Sequence, residues 1–281
     1  MKIFTTSDIH SYFKALKKAL DEKGFEPNNP DHLLVVCGDV FDRGPESEEV
    51  FEFLNNLTNV VLVKGNHEDL MEEVWSRGYC ESHDQSNGTL RTIHDLFYAY
   101  TPFETFDAIK LCEEKLRPFF NKMVNYFETK SYVFVHGWIP CDKYSGNRSW
   151  YQNNRTFEYR ADWRECNDVE WESARWINGM NAGYVKKNPV LEPGKTIVCG
   201  HWHCSYGHYW AAVKEAIKQG GSIFDVKISE FGDDACFDPF SANGILALDA
   251  CTAHTGKVNV VVLEDDLLDT AEEEEKEPEV S

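Results

Sequence analysis

Short apolar runs and helically spaced apolar residues alternate along the first quarter of the chain. Strands are predicted over 2–8, 33–37 and 59–63, and the middle one has five apolar residues in a row, which is typical of burial on both faces. Two amphipathic helices lie between them, the second beginning at Pro45. This βαβαβ order predicts parallel strands joined by right-handed crossovers. Their carboxyl ends then meet at one edge of a sheet, where open α/β folds bind ligands.

The rest of the chain predicts a second group of strands. Residues 68–130 are polar with helical spacing and predict a partly helical insertion over the site. Further strands are predicted at Tyr132–Val135 and Thr196–Cys199 and, as antiparallel strands, at Ser222–Ile228, Gly244–Asp249 and Lys257–Leu263. The stretch 138–193 is an irregular insertion rich in tryptophan, whose rings we expect to fill a core rather than to line a groove. A single domain, 1–264, with a second and mostly antiparallel sheet follows from this pattern.

The charge of the chain disfavours one class of partner. The formal net charge is −20, and ten acidic residues lie between Glu264 and Ser281, so we expect 265–281 to be a disordered acidic tail. The remaining body is still acidic, which does not suit the phosphate backbone of a nucleic acid. We therefore expect no nucleic-acid partner.

Neither a membrane segment nor a disulfide framework is predicted. No run of 18 apolar residues exists, and the N-terminus enters a strand at once without an apolar leader region. The nine cysteines are scattered, odd in number and never spaced CxxC, which indicates reduced thiols. The resulting expectation is a cytoplasmic protein without a membrane partner.

The middle strand ends in a cluster of charged residues. Gly38 ends the strand, and a tight loop then presents Asp39, Asp42 and Arg43 together. Acidic turns after strands are common, so the motif GDxxDRG is a moderate signal by itself. Two carboxylates and a guanidinium at a strand end indicate a place where metal and phosphate meet.

Four other strand ends carry matching chemistry. A lone histidine after a strand is usually a hydrogen-bonded turn residue, but five of the ten histidines fall in these motifs. Oxygen and imidazole ligands without thiolate suit Mn²⁺, Fe and Zn²⁺. A shared carboxylate with about three further ligands on each side is typical of a two-metal site. The candidate metal ligands are Asp8, His10, Asp39, Asn66, His136, His201 and His203.

The five motifs resemble those of the calcineurin-like metallophosphoesterase superfamily. They are DxH at 8–10, GDxxDRG at 38–44, GNHE at 65–68, HG at 136–137 and GHxH at 200–203, and they occur in the family's order. The second and third most resemble the bacterial-type phosphoprotein (serine/threonine) phosphatase branch. The resemblance implies an α/β fold of four layers, α/β/β/α, and two divalent metal ions, with Mn²⁺ preferred over Fe or Zn²⁺.

The resemblance also implies a role for each residue. One ion would be held by Asp8, His10, Asp39 and His203, and the other by Asp39, Asn66, His136 and His201. His67, oriented by Asp42, would donate a proton to the leaving oxygen, and Arg43 would grip the phosphoryl group, with Asn66 and Arg175 as further substrate-binding candidates. A metal-bridging hydroxide would attack phosphorus in line, without a covalent intermediate. Arg175 lies between tryptophans and can equally be a stacked structural residue.

Two departures from the phosphatase branch leave the substrate class open. Ser7 and Ser11 stand where those phosphatases usually have glycine, and His203 is a histidine that they usually lack. The leading hypothesis is a metal-dependent phosphomonoesterase of the protein serine/threonine phosphatase type. The alternatives are a hydrolase of small phosphate esters or dinucleotide polyphosphates, a phosphodiesterase, and a scaffold that binds phosphorylated partners without turnover. His67 and Arg43, together with a complete ligand set, argue against the scaffold.

Overall fold

The computed structural model describes residues 1–97, 102–141 and 157–268, which form two β-sheets flanked by helices. The strands are β1 (Lys2–Thr6), β2 (His32–Cys37), β3 (Val60–Val63), β4 (Phe127–Glu128), β5 (Tyr132–Phe134), β6 (Thr196–Cys199), β7 (Phe240–Ala242), β8 (Ile245–Ala247) and β9 (Val261–Glu264). The helices are α1 (Phe13–Glu22), α2 (Ser47–Asn56), α3 (Asn66–Arg77), α4 (Ser82–Asn87), α5 (Thr89–Phe97), α6 (Pro102–Phe120), α7 (Asp168–Arg175), α8 (Cys204–Lys218) and α9 (Thr252–Thr255), with a π-helical turn at Asn181–Val185.

The two sheets differ in how their strands run. The first has the order β3-β2-β1-β9, in which β1, β2 and β3 are parallel and β9 is antiparallel to β1. The second has the order β4-β5-β6-β8-β7, in which a parallel centre, β5-β6-β8, carries antiparallel edge strands. The three parallel strands expected from the sequence are therefore present. The expectation of a mostly antiparallel second sheet is wrong, because β8 runs parallel to β6.

Alternating side chains of the strands divide the interior into three hydrophobic cores. Leu34 of β2 lies in a first core with helices α1, α2, α3, α5 and α6, whereas its neighbour Val35 lies in a second core between the sheets. Val198 of β6 shares that second core, and Ile197 lies in a third core with α7 and α8. Three cores separated by two sheets make four layers, so the predicted α/β/β/α fold is confirmed.

Two local predictions from the sequence are wrong. Helix α2 begins at Ser47 rather than Pro45, because the preceding turn is bonded to the first loop: the backbone N–H of Gly44 donates to His10 and that of Glu46 to Ser11, each over 2.9 Å. No strand forms over 222–228, where a 3₁₀ turn at Ile223–Asp225 is capped by the Asp225 carboxylate. The short strand β7 follows instead and pairs with β8.

The two predicted insertions pack differently from each other. Helices α5 and α6, which lie within 68–130, contribute Ile93 and Leu116 to the first core. In the second insertion, Trp138, Trp163 and Trp171 are buried in the third core, as the core-filling expectation requires. Residues 142–156 of that insertion, with Trp150, and the acidic tail beyond Leu268 lie outside the described residues.

All nine cysteines are free, in agreement with the expectation of reduced thiols. They are spread over the layers of the fold. Cys112 lies in the first core, Cys37 in the second and Cys199 in the third.

Candidate functional site

The carboxyl ends of five strands bring the seven predicted metal ligands to one edge of the two sheets. Each residue follows its strand within a few positions, as the parallel order requires. All of them except His201, which is partly exposed, are buried. The strands that supply them are β1 for Asp8 and His10, β2 for Asp39, β3 for Asn66, β5 for His136, and β6 for His201 and His203.

The loops that carry these residues have an uncommon backbone conformation. Eight non-glycine residues of the described chain have φ between 50° and 73°. A left-handed conformation costs about 1–2 kcal/mol per residue. Because so many of these residues lie at one edge of the sheets, the loops there accept backbone strain in order to place their side chains. Seven of the eight lie in or beside the motifs: Asp8, His10, Ser11, Asp39, Asp42, Arg43 and His201.

Asp39 lies at the centre of the cluster. Its Oδ2 is 3.8 Å from Nε2 of His10, and its Oδ1 is 3.3 Å from Nε2 of His136. Two groups of possible ligand atoms, each within 4.8 Å of one another, share this carboxylate: His10-Asp39-His67 and Asp39-His136-His201. A carboxylate that offers a different oxygen to each of two groups has the arrangement that a bridging ligand needs.

Backbone carbonyls fix the orientation of two of these histidines. Nδ1 of His10 donates to the carbonyl of Phe41 over 2.9 Å, and Nδ1 of His136 donates to that of Cys37 over 2.8 Å. A neutral imidazole has one N–H, so Nε2 of each ring holds a lone pair towards Asp39. Metal-binding histidines almost always have such an acceptor on their other nitrogen.

Lone pairs converge around His136 in a way that fits a cation. Nε2 of His136 lies 2.8 Å from Oδ1 of Asn66, and Nδ1 of His201 lies 2.9 Å from the same oxygen. Burial lowers the pKa of His136 well below its ordinary value and the pKa of His201 to about 3, so both rings are neutral at pH 7. Nε2 of His136 and Oδ1 of Asn66 are both acceptors, and two acceptors this close repel each other unless a cation lies beside them. Imidazole nitrogen with amide and carboxylate oxygen is a donor set that fits a divalent metal ion.

The buried carboxylates support the same interpretation. Burial, followed by the charge of Asp249, raises the pKa of Asp8 well above its usual range. Burial, followed by the charge of Asp8, does the same to the pKa of Asp39. Asp249 is itself buried and has a raised pKa, and the sequence motifs did not single it out as part of the site. A bound cation would offset the repulsion among these three groups.

His67, Asp42 and Arg43 form a chain of hydrogen bonds beside the cluster. Nδ1 of His67 donates to Oδ2 of Asp42 over 2.7 Å, and Nη2 of Arg43 lies 3.0 Å from Nε2 of His67. A guanidinium can only donate, so Nε2 accepts and the ring is neutral in this arrangement. Arg43 is exposed, whereas the other two are buried. The predicted partnership of His67 and Asp42 is therefore present as a contact.

Helix α5 holds this chain in place, which the sequence motifs did not reveal. The hydroxyl of Thr89 donates to Oδ2 of Asp42 over 2.8 Å, and that of Thr92 donates to Oδ1 over 2.9 Å. The backbone N–H of Asp42 donates in return to the Thr92 hydroxyl oxygen. Gly88 precedes the helix with φ of 95°, and a Cβ there would lie 2.2 Å from the backbone nitrogen of Arg43.

Glu68 ties the loop after β2 to the loop after β3. Its Oε2 accepts from the backbone N–H groups of Gly65 and Asp39 over 2.7 and 3.0 Å, and its Oε1 accepts from that of Val40 over 2.9 Å. The fit is close, because a Cβ on Gly65 would meet Oδ1 of Asp39 at 2.2 Å.

Two predicted ligands are held by contacts outside the two groups around Asp39. Oδ2 of Asp8 accepts from the backbone N–H of His201 over 3.0 Å. Nε2 of His203 lies 2.8 Å from Oε1 of Glu230, a residue that no motif indicated. Among the described residues, neither Asp8 nor His203 joins a three-residue group within 4.8 Å. Their assignment as ligands stays a prediction.

The guanidinium of Arg175 is committed to other side chains. It donates to Asp69 over 2.9 Å and to Asn125 over 2.5 Å, and the residue is 5% exposed. These contacts support the structural alternative for Arg175, and its phosphate-binding role stays a prediction. The neighbouring Trp176 is partly exposed and lies edge-to-face with His201, 5.7 Å between ring centroids.

Sequence comparison identifies the family. The family described as calcineurin-like phosphoesterase matches residues 1–205, which is well over half of the chain. The chain belongs to this family. The resemblance to the calcineurin-like family is thus confirmed, and the expectation of two metal ions stays a prediction. The family holds divalent metal ions, and the identity of the metal in this chain stays a prediction.

Curated relatives of the calcineurin-like chain carry two kinds of name. Serine/threonine-protein phosphatase 2 of Escherichia coli K12 is 34% identical over 109 residues, which is 39% of this chain and 46% of that protein. A symmetrical bis(5'-nucleosyl)-tetraphosphatase of Pseudomonas putida F1 is 28% identical over 141 residues, or 50% and 43% of the two chains. The chain thus spans less than half the length of these relatives.

A solved structure supports the fold alone. The cold-active protein-tyrosine phosphatase of a psychrophilic Shewanella species superposes with a TM-score of 0.50 over 94% of this chain and 75% of that one, at 16% identity. No helix among the described residues combines the length and apolarity that a bilayer crossing needs.

Proposed function

We propose that this chain hydrolyses phosphomonoesters with two divalent metal ions as cofactors. The observation that carries the proposal is the carboxylate of Asp39, which presents one oxygen to His10 and the other to His136. When bound, the ions would act as Lewis acids towards phosphoryl oxygens and would lower the pKa of a water nucleophile. The residues proposed to hold them are Asp8, His10, Asp39, Asn66, His136, His201 and His203.

The chain's own side chains supply the rest of the chemistry. Arg43 is exposed and presents a planar fork of N–H donors, which suits two oxygens of a terminal phosphoryl group. When Arg43 turns to the phosphoryl group, it releases Nε2 of His67. The imidazole can then carry a proton on Nε2 to the leaving oxygen, while Asp42 stabilises its positive charge through Nδ1.

For the substrate we favour a phosphorylated serine or threonine of a protein. The GDxxDRG and GNHE motifs and the similarity to the Escherichia coli phosphatase support this choice. The net charge of −20 supports it as well, because it opposes the approach of a highly charged dinucleotide polyphosphate. That second candidate is favoured by the tetraphosphatase names of other relatives and by Trp176, whose partly exposed ring is suited to stack on a base.

The test compares substrates on the full-length protein supplied with Mn²⁺. We expect kcat/KM to be higher for nitrophenyl phosphate than for bis-nitrophenyl phosphate, because a terminal dianion offers a third oxygen and one more charge to Arg43 and the metal ions. Arg43→Ala should reduce the difference in kcat/KM between the monoester and the diester. A panel of phosphopeptides and dinucleotide polyphosphates then separates the two candidates. Faster hydrolysis of the diester would contradict the phosphomonoesterase proposal and favour a phosphodiesterase.

A further inference from the structure

We propose that Arg175 is a positioning residue of the metal site, which holds the ligands of the two sheets at the distance that one of the two ions needs. That ion is the one expected at Asp39, Asn66, His136 and His201. The inference rests on the proposed function only in taking these residues as ligands of one ion.

The two candidate groups of metal ligands differ in how they use the sheets. His10, Asp39 and His67 all follow strands of the first sheet, so their spacing is set within that sheet. The other group combines Asp39 with two histidines that follow strands of the second sheet. Oδ1 of Asn66, which follows β3 of the first sheet, lies 2.8 and 2.9 Å from a ring nitrogen of each of these histidines. The geometry of this group therefore depends on how the sheets are held against each other.

The backbone of Arg175 is fixed to the part of the site that belongs to the second sheet. Arg175 is the last residue of α7, and the carbonyl of the preceding Ala174 accepts from the backbone N–H of Trp138 over 3.1 Å. A Cβ on Gly137 would lie 2.4 Å from the carbonyl oxygen of Arg175. Gly137 and Trp138 directly follow His136, so the end of α7 packs against the loop that carries this ligand.

The side chain of Arg175 reaches across to the first sheet. Its guanidinium donates to Oδ2 of Asp69 over 2.9 Å and to Oδ1 of Asn125 over 2.5 Å. Asp69 lies in the first turn of α3, and its Oδ1 is 2.8 Å from Nζ of Lys64. Arg175 is 5% exposed and the side chain of Asp69 is 13% exposed, so salt and water screen the pair little. The pair thus joins the end of α7 to the helix whose first residue is Asn66.

Loss of this connection should weaken one ion more than the other. Without Arg175, α3 and α7 can shift relative to each other, and the oxygen of Asn66 then no longer meets the histidines of the second sheet. Loss of a residue that orients metal ligands typically lowers metal affinity by about 10–100-fold, and we expect about tenfold because Arg175 acts through two helices. The other predicted ion takes only His203 from the second sheet and should keep its affinity.

Calorimetric titration of the metal-free, full-length protein with Mn²⁺ tests the inference. Arg175→Met should weaken one of two binding events by about tenfold. Arg175→Lys keeps the charge but not the planar fork of donors, so it should restore part of the affinity. Arg164→Met is the matched control, because Arg164 pairs with Glu128 of β4 and with Glu192, which precedes β6, and so does not connect the two sheets. Both affinities of that variant should equal those of the wild-type protein.

Further variants show which ion is affected. In a His136→Ala background, which removes a ligand of that ion alone, Arg175→Met should have little further effect. In a His10→Ala background, the remaining event should still weaken. Removal of one partner of a buried ion pair can prevent folding. Asn125→Ala therefore provides a milder change, which removes one contact of the guanidinium and should weaken the same event to a smaller extent.

Electron paramagnetic resonance of the Mn²⁺-loaded protein gives a second readout. At a metal concentration that fills both sites of the wild-type protein, we expect the signal of a coupled pair of ions there and that of an isolated ion in Arg175→Met. Equal weakening of both binding events, or wild-type affinity for both, would overturn the positioning role. Wild-type metal affinity together with weaker binding of inorganic phosphate would show instead that Arg175 contacts the phosphoryl group. The metal measurements are made without substrate, so a chain that binds both ions but fails to hydrolyse phosphomonoesters would overturn the proposed function and leave this inference standing.

Discussion

Ser11 has a strained, left-handed backbone conformation although it is not a predicted metal ligand. Its φ is 59°, its side chain is buried, and its hydroxyl oxygen accepts from the hydroxyl of Ser47 over 2.9 Å. The phosphatase branch of the calcineurin-like family usually has glycine at this position, where a positive φ costs nothing. The chain has therefore kept a hydrogen bond in exchange for a strained residue.

Two variants of Ser11 separate the hydrogen bond from the strain. Ser11→Ala and Ser11→Gly both remove the hydroxyl, but only glycine relieves the left-handed conformation. We expect Ser11→Gly to be about 1 kcal/mol more stable than Ser11→Ala, as measured by urea unfolding. Equal stability of the two variants would show that the loop relaxes to negative φ when the hydroxyl is absent.

Asp39 should be unfavourable to folding when no metal is bound. Its folded-state pKa is raised, so its contribution to stability is present in acid and is lost as pH rises through the folded-state value. Metal-free Asp39→Asn should therefore be more stable than wild type at pH 7–8, by about 0.5–2 kcal/mol. The advantage should vanish at low pH. Thermal unfolding with chelator over a pH series measures this.

The effect of Asp39→Asn on stability should change sign when metal is present. Saturating Mn²⁺ should raise the melting temperature of the wild-type protein, and Asp39→Asn should lose that increase because both candidate groups share the carboxylate. A full metal-dependent increase in the variant would contradict the bridging role of Asp39.

At the scale of secondary-structure elements, the sequence predicts which residues lie at the strand ends. It does not predict which residues from other elements hold those side chains in place. A βαβαβ order places the ends of β1, β2 and β3 side by side, so local sequence determines where Asp8, Asp39 and Asn66 meet. The threonines of α5 lie about 50 residues from Asp42, and threonine in a helix gives no signal of its own. Likewise, nothing in the sequence around Glu230 indicates that its segment folds back onto His203.

Helix α5 provides the prediction at this scale. Thr92→Val keeps the shape of the side chain but removes both of its hydrogen bonds with Asp42. We expect kcat for an alkyl phosphate to fall by about tenfold, because Asp42 would orient His67 less well, with a smaller loss for nitrophenyl phosphate. Thr92→Ser, which keeps the hydroxyl, is the matched control. Equal losses on both substrates would show that Thr92 acts on stability instead.

At the scale of the whole molecule, charge should act oppositely on substrate and cofactor. The net charge of −20 repels a phosphate dianion and attracts a divalent cation at long range. Salt screens both effects, with a Debye length that falls to about 8 Å at physiological ionic strength. Substrate capture and metal binding are therefore expected to respond to salt with opposite signs.

A salt series measures this difference. Between about 20 and 200 mM KCl, with metal saturating, we expect kcat/KM to rise by about two- to threefold. Over the same range the affinity for Mn²⁺ should fall. A kcat/KM that falls with salt would mean that local positive charge at Arg43 and the metal ions dominates the approach of the substrate.

The buried cysteines make it possible to compare how often each of the three cores opens to solvent. Burial raises the pKa of Cys112 and of Cys37 to about 12, and that of Cys199 well above its ordinary value, so none of these thiols reacts while its core is intact. Alkylation of each then requires a transient opening of the surrounding layer. Each of the three cores thus contains a cysteine whose alkylation rate reports how often that core opens. Alkylation rates measured by mass spectrometry with and without Mn²⁺ would show which core opens less often when metal is bound.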